Sequence, residues 1–207
     1  MVLAGFFAAA LFIGLIVGDW FYFIRLTPDA IRYGCSVARS QDRWTRSTLA
    51  TLCDRFTADG VMLLPHGVAR FYPDLSQIAI RPQYRLSSMS FRTAWPIKGL
   101  IHLHLSAADQ SVAALCVKRI PWSSALITLL WFVVVSIGTL IFVITYAMQG
   151  GFTSLRGVLM GAGIIGIAFL VLAFGLVTVV FSYRLENSRL TKVYDELREI
   201  LEEHTSS

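Results

Sequence analysis

Charge and metal-binding side chains are scarce in this chain. Of its 207 residues only 15% are charged while 56% are hydrophobic, and it holds four histidines and three cysteines. A soluble domain carries about 25% charged residues, so an apolar, clumped composition of this kind excludes one. Cys35, Cys53 and Cys116 are odd in number and match neither a zinc-ribbon nor a redox spacing. They are expected to be reduced, partly buried thiols. The sequence also lacks a nucleophile with a base, a paired-carboxylate pattern, a glycine-rich phosphate loop and a metal-ligand set. The expectation is a chain with no enzymatic activity, no cofactor and no metal.

Charge is most conspicuously missing from three apolar runs, residues 2–24, 122–148 and 158–182, where the only charged side chain is Asp19. A bilayer core about 30 Å thick needs about 20 apolar residues in a helix, so each run is long enough to span. Backbone in lipid must satisfy its own hydrogen bonds, which makes helices of all three. No Lys or Arg precedes the first run, and the bulky "FYFIRL" follows Gly18-Asp19-Trp20 where a cleavage site would need small residues. The first run is therefore expected to be an uncleaved anchor, with Trp20, Tyr22 and Arg25 at the interface. Proton relays and most ion pathways use ionisable groups deep in the membrane, and no Glu, Lys, Arg or His is present there.

Residues 25–121 hold thirteen of the 18 basic residues against six acids. Arg25, Arg32, Lys118 and Arg119 flank the first two spans, so the positive-inside rule places this segment and the C-terminus in the cytoplasm and the N-terminus outside. Residues 149–157 then form a short external loop. The cell inner membrane is the expected location.

Within the segment, short apolar runs alternate with turn residues. "VMLLPHGVARFY" reads as a hairpin around Pro65-His66-Gly67, and "SQIAIRP", "SFRTAW", "GLIHLHLS" and "SVAALCVKRI" read as strands. Ala108-Asp109-Gln110 is the expected turn between the last two, and Ser47 to Phe56 has the spacing of a short helix. The fold class is thus α+β: three membrane helices and a small β-rich domain, a barrel or half-barrel, between the first and second.

In "GLIHLHLS", strand alternation puts Ile101, Leu103 and Leu105 on one face and His102 and His104 on the other. Two histidines at i, i+2 are a weak ligand pattern. The expected arrangement is a half-buried strand with the histidines facing out.

The arginines Arg39, Arg43, Arg46, Arg81, Arg85 and Arg92 suit anionic lipid headgroups, since the segment is tethered at both ends to the bilayer. No nucleic-acid-binding motif accompanies them. "RSQDR" (39–43) followed by "DLSQIA" (74–79) resembles a loose version of the PilZ family pattern, Arg-x-x-x-Arg and then Asp/Asn-x-Ser-x-x-Gly on a small β-barrel. Ala79 stands where that motif has glycine. The resemblance implies a cyclic di-GMP sensor in which Arg39, Arg43, Asp74 and Ser76 touch the ligand. Read as local structure alone, Pro73-Asp74 opens a turn that Ser76 caps.

The third run opens "GVLMGAGIIG", in which Gly157 and Gly161, and then Ala162 and Gly166, have the small-x-x-x-small spacing that lets helix backbones approach closely. After it, residues 183–207 continue as an amphipathic helix, with Tyr183, Leu190, Val193, Leu197 and Ile200 on one line. That line is a docking face for the β-domain or for a partner. Together these features suggest a scaffold, assembly or accessory subunit of a larger inner-membrane complex, with other membrane subunits and anionic lipid as partners.

Overall fold

The computed structural model describes residues 2–45, 55–83, 95–105 and 111–202. Most of the helix expected over 47–56, the strand expected over 90–95, the turn at 108–110, and Arg46, Cys53, Arg85 and Arg92 lie outside the described residues. The chain forms two compact units, residues 1–124 with 184–207, and residues 125–183. Among the described residues, three helices are long and apolar enough to cross a membrane.

The first unit contains helix α1 (Val2–Phe23), the single turn α2 (Pro28–Ile31) and six strands: β1 (Cys35–Thr45), β2 (Val61–Leu63), β3 (Gly67–Tyr72), β4 (Gln77–Pro82), β5 (Lys98–Leu105) and β6 (Ser111–Ile120). All neighbours are antiparallel, in the order β1-β6-β5-β4-β3-β2. The hairpin and the last three strands fall where apolar alternation puts them. β1 does not announce itself, because "CSVARSQDRWT" is a polar edge strand in which, among the described residues, Trp44 is the one fully buried side chain.

Register sorts the side chains onto two faces, because partners across an antiparallel pair share a face. One face carries Asp42, Trp44, Ile78, Ile80, Ile101, Leu103 and Cys116. The last helix, α4 (Leu155–Glu202), runs unbroken into this unit, where Leu190, Val193, Leu197 and Leu201 are buried. Each such side chain contributes on the order of 1.5–3 kcal/mol on leaving water. Val193 comes so close to β3 that a methyl added at Gly67 would lie 2.5 Å from its Cγ2, so only glycine lets helix and sheet meet there. At the rim, Trp44 Nε1 donates to Tyr194 Oη at 3.1 Å, Tyr194 Oη and Arg198 Nη1 each donate to Asp42 at 3.0 Å, and His66 pairs with Glu196.

The other face meets the end of α1 and α2. Ile31, Tyr72, Ala79 and Leu100 cluster there, flanked by Leu26. This face includes Lys98, Leu100, His102 and His104, so the expectation of an outward-facing histidine side needs correction. Leu100 is 1% exposed, His102 is half-buried, and only His104 is open to solvent. Apolar alternation locates the core face of a strand, but it does not show that helices also cover the opposite side.

In the second unit, α3 (Trp122–Met148) and the first part of α4 pack on each other. The Trp131 ring lies against Gly175, and Phe152 and Tyr146 fill the space beside Gly161. Tyr146 Oη donates to the Gly157 carbonyl at 3.1 Å.

Candidate functional site

The sheet divides its charge between its faces. Arg39, Arg43, Arg70, Arg81, Lys98 and Arg119 share the face that meets α1, whereas Asp42, the one acid in the described strands, lies on the face that meets α4. Lys118 is the exception among the cations and donates to Asn187 of α4 at 2.6 Å.

Three of these cations donate to backbone carbonyls between the end of α1 and the start of β1, and the two that Lys98 binds lie at helix ends. The last carbonyls of a helix have no partner within it and carry partial negative charge. Lys98 Nζ donates to the Phe23 carbonyl at 3.2 Å and to that of Ala30, and lies 4.3 Å from the centre of the Phe23 ring. Arg70 Nη1 and Tyr72 Oη both donate to the Leu26 carbonyl, the former at 2.9 Å. Arg119 Nη1 donates to the Arg32 and Gly34 carbonyls. Arg39 and Arg43 are exposed. Three cations thus fix the linker that joins α1 to the sheet, a role with no signal in their spacing.

Burial, with a smaller contribution from Arg119, lowers Lys98 from its ordinary 10.5 to about 7. Between those values the unfolded chain binds a proton that the fold does not, so stability rises with pH through that window. Denaturation midpoints of the full chain should therefore increase from pH 7 toward pH 10, and Lys98→Met should remove this part of the increase. Parallel pH profiles for variant and wild type would contradict the assignment.

Burial also lowers His102, reinforced by His104, Arg32 and Arg119. Its Nδ1 lies 3.2 Å from Gln77 Nε2, and the rings of His102 and His104 stack with centres 6.5 Å apart. Among the described residues no three His, Cys, Asp or Glu side chains form a group able to hold a metal ion.

The four residues of the PilZ-like pattern are not brought together. Arg39 and Arg43 are on β1, while Asp74 lies in a 3₁₀ turn (Pro73–Leu75) before β4, with Ser76 following it in the left-handed region at φ 48°. Ser76 N donates to the Pro73 carbonyl at 3.0 Å, closing the turn. β5 and β6 separate β4 from β1, three strand spacings or about 14 Å along the sheet.

The glycines of the third apolar run divide into two sets. A methyl at Gly157 would collide with the Gly151 carbonyl, and one at Gly161 would lie 2.5 Å from Phe152, so this pair serves the chain's own packing. Ala162 and Gly166 are exposed, and side chains built at Gly163 or Gly166 would meet nothing within 4 Å. Of the tail residues, Leu190, Val193 and Leu197 are buried within the sheet unit, so the face considered for a partner is occupied inside the chain. Ile200 is only half-buried, and Leu201 takes the next core position because it is one turn beyond Leu197.

Asp19 has a structural use that its position near the end of an apolar run conceals. One carboxylate oxygen accepts from the Ser123 amide at 3.0 Å and from the Ser123 hydroxyl, and the other accepts from Tyr33. Compared with known proteins, the chain matches no protein family, no curated protein and no solved structure.

Proposed function

We propose that this chain is a non-catalytic multi-pass subunit of an inner-membrane protein complex, acting as a scaffold or accessory component. Its N-terminus lies outside, and the sheet domain and C-terminal helix lie in the cytoplasm. The observation that carries the reading is the division of small residues on α4. Gly157, Gly161 and Gly175 are filled by the chain's own carbonyl and rings, whereas Ala162, Gly163 and Gly166 leave open space. Small residues in lipid favour close helix contact, and this side has room for a transmembrane helix of another subunit. The basic residues beside the ends of the first two apolar runs support the orientation.

Purification in mild detergent with quantitative mass spectrometry should recover a stoichiometric membrane partner. Gly166→Leu should abolish that recovery while leaving the melting temperature of the isolated chain nearly unchanged. Gly161→Leu should lower the melting temperature instead, since the leucine would displace Phe152. A chain recovered alone, or partner recovery insensitive to Gly166→Leu, would count against the proposal.

A further inference from the structure

We infer that the groove at the end of α1 binds the phosphate of an anionic phospholipid headgroup. The inference rests on the reading that α1 crosses a bilayer. The groove has a volume of about 440 Å³ and is lined by α1, the linker that follows it, and strands β2 to β4. Three of its lining residues are Arg25, Arg70 and Arg81, and no carboxylate lines it. Phe21, Ile24 and Val68 supply part of an apolar wall.

The two halves point to a lipid rather than a soluble anion. Guanidinium groups present forks of donors that match phosphate oxygens. Arg70 is already fixed, with Nη1 on the Leu26 carbonyl at 2.9 Å and its guanidinium 5.5 Å from the centre of the Tyr72 ring. A guanidinium has five N–H donors, so others remain for a ligand after that bond. The Arg25 side chain is exposed and makes no hydrogen bond or ion pair among the described residues. Phe21 and Ile24 belong to the final turn of the 22-residue apolar helix and the residue after it. At that depth a phosphate lies in the headgroup layer with its acyl chains beside α1, and a free phosphate would leave the apolar wall unused.

The test uses the full chain in vesicles of phosphatidylcholine with a minor fraction of phosphatidylglycerol, followed by mild-detergent extraction and native mass spectrometry. One phosphatidylglycerol should be retained per chain in preference to phosphatidylcholine. Arg25→Gln should weaken retention about fivefold, and Arg25→Gln with Arg81→Gln roughly thirtyfold, as expected for cations acting at an anionic surface. Arg43→Gln, on the same sheet face but outside the groove, should change nothing. If the double variant unfolds, the single Arg25→Gln variant decides. Equal retention of the two lipids, unchanged retention in Arg25→Gln, or displacement of the lipid by millimolar inorganic phosphate would overturn the site. Release of the protein from vesicles by alkaline carbonate would remove the membrane reading as well, whereas insertion without lipid preference removes only the site.

Discussion

Asp19→Ala should destabilise the full chain by about 3 kcal/mol, because hydrogen bonds to a charged group contribute roughly 1.5–3 kcal/mol each. The carboxylate accepts from the Ser123 amide, the Ser123 hydroxyl and the Tyr33 hydroxyl. Ser123 is the second residue of α3, so its amide is among the helix-start donors that have no partner within the helix. Asp19 does for that helix what a capping side chain does, but from a hundred residues away in sequence. Asn retains one acceptor oxygen, so Asp19→Asn should recover part of the loss. Unfolding in detergent micelles measures both variants, and an alanine variant within about 1 kcal/mol of wild type would refute the role. Tyr33 offers a second readout. The hydrogen bond to Asp19, then burial, push its hydroxyl up to about 12, and Asp19→Asn should return it toward 10 in a spectrophotometric titration.

Leu197→Ala should cost about 2–5 kcal/mol, the range for truncating a fully buried leucine, and Ile200→Ala no more than about 1 kcal/mol. Leu197 is wholly buried between α4 and the sheet, whereas Ile200 is half-buried. The loss should appear as faster hydrogen exchange along 184–202 and as a change in the environment of Trp44, whose indole donates to Tyr194. Equal costs at the two positions would mean that the helix is rotated from the position described.

Residues whose neighbours are close in sequence were the legible ones. "VMLLPHGVARFY" contains its own turn, and "GLIHLHLS" shows which side of β5 holds Ile101 and Leu103. β1 was hidden because its partner β6 begins 66 residues after β1 ends, and because all its exposed positions but Val37 are polar. On the tail, a three-four spacing fits Ile200 about as well as Leu201, and only the sheet beneath selects Leu201. The cations were visible as a count, but their division between two faces depends on the register of six strands. Lys98 shows the difference most clearly. By composition it is one basic residue near a membrane, yet in the fold it is a buried amine bonded to two helix-end carbonyls.

The division of charge between the sheet faces also makes the domain electrically polar. Arg39, Arg43 and their neighbours concentrate positive charge on one side, whereas on the other, where α4 packs, Asp42, Asp195 and Glu196 are nearly balanced by cations such as Lys118 and Arg198. A body with its positive charge concentrated on one side experiences a torque beside an anionic surface, in addition to any net attraction. That torque depends on the screening length, about 8 Å at physiological salt and roughly 3 Å at 1 M. If the domain lies beside an anionic bilayer as proposed, ionic strength would control the direction in which it points as well as the strength with which it is held.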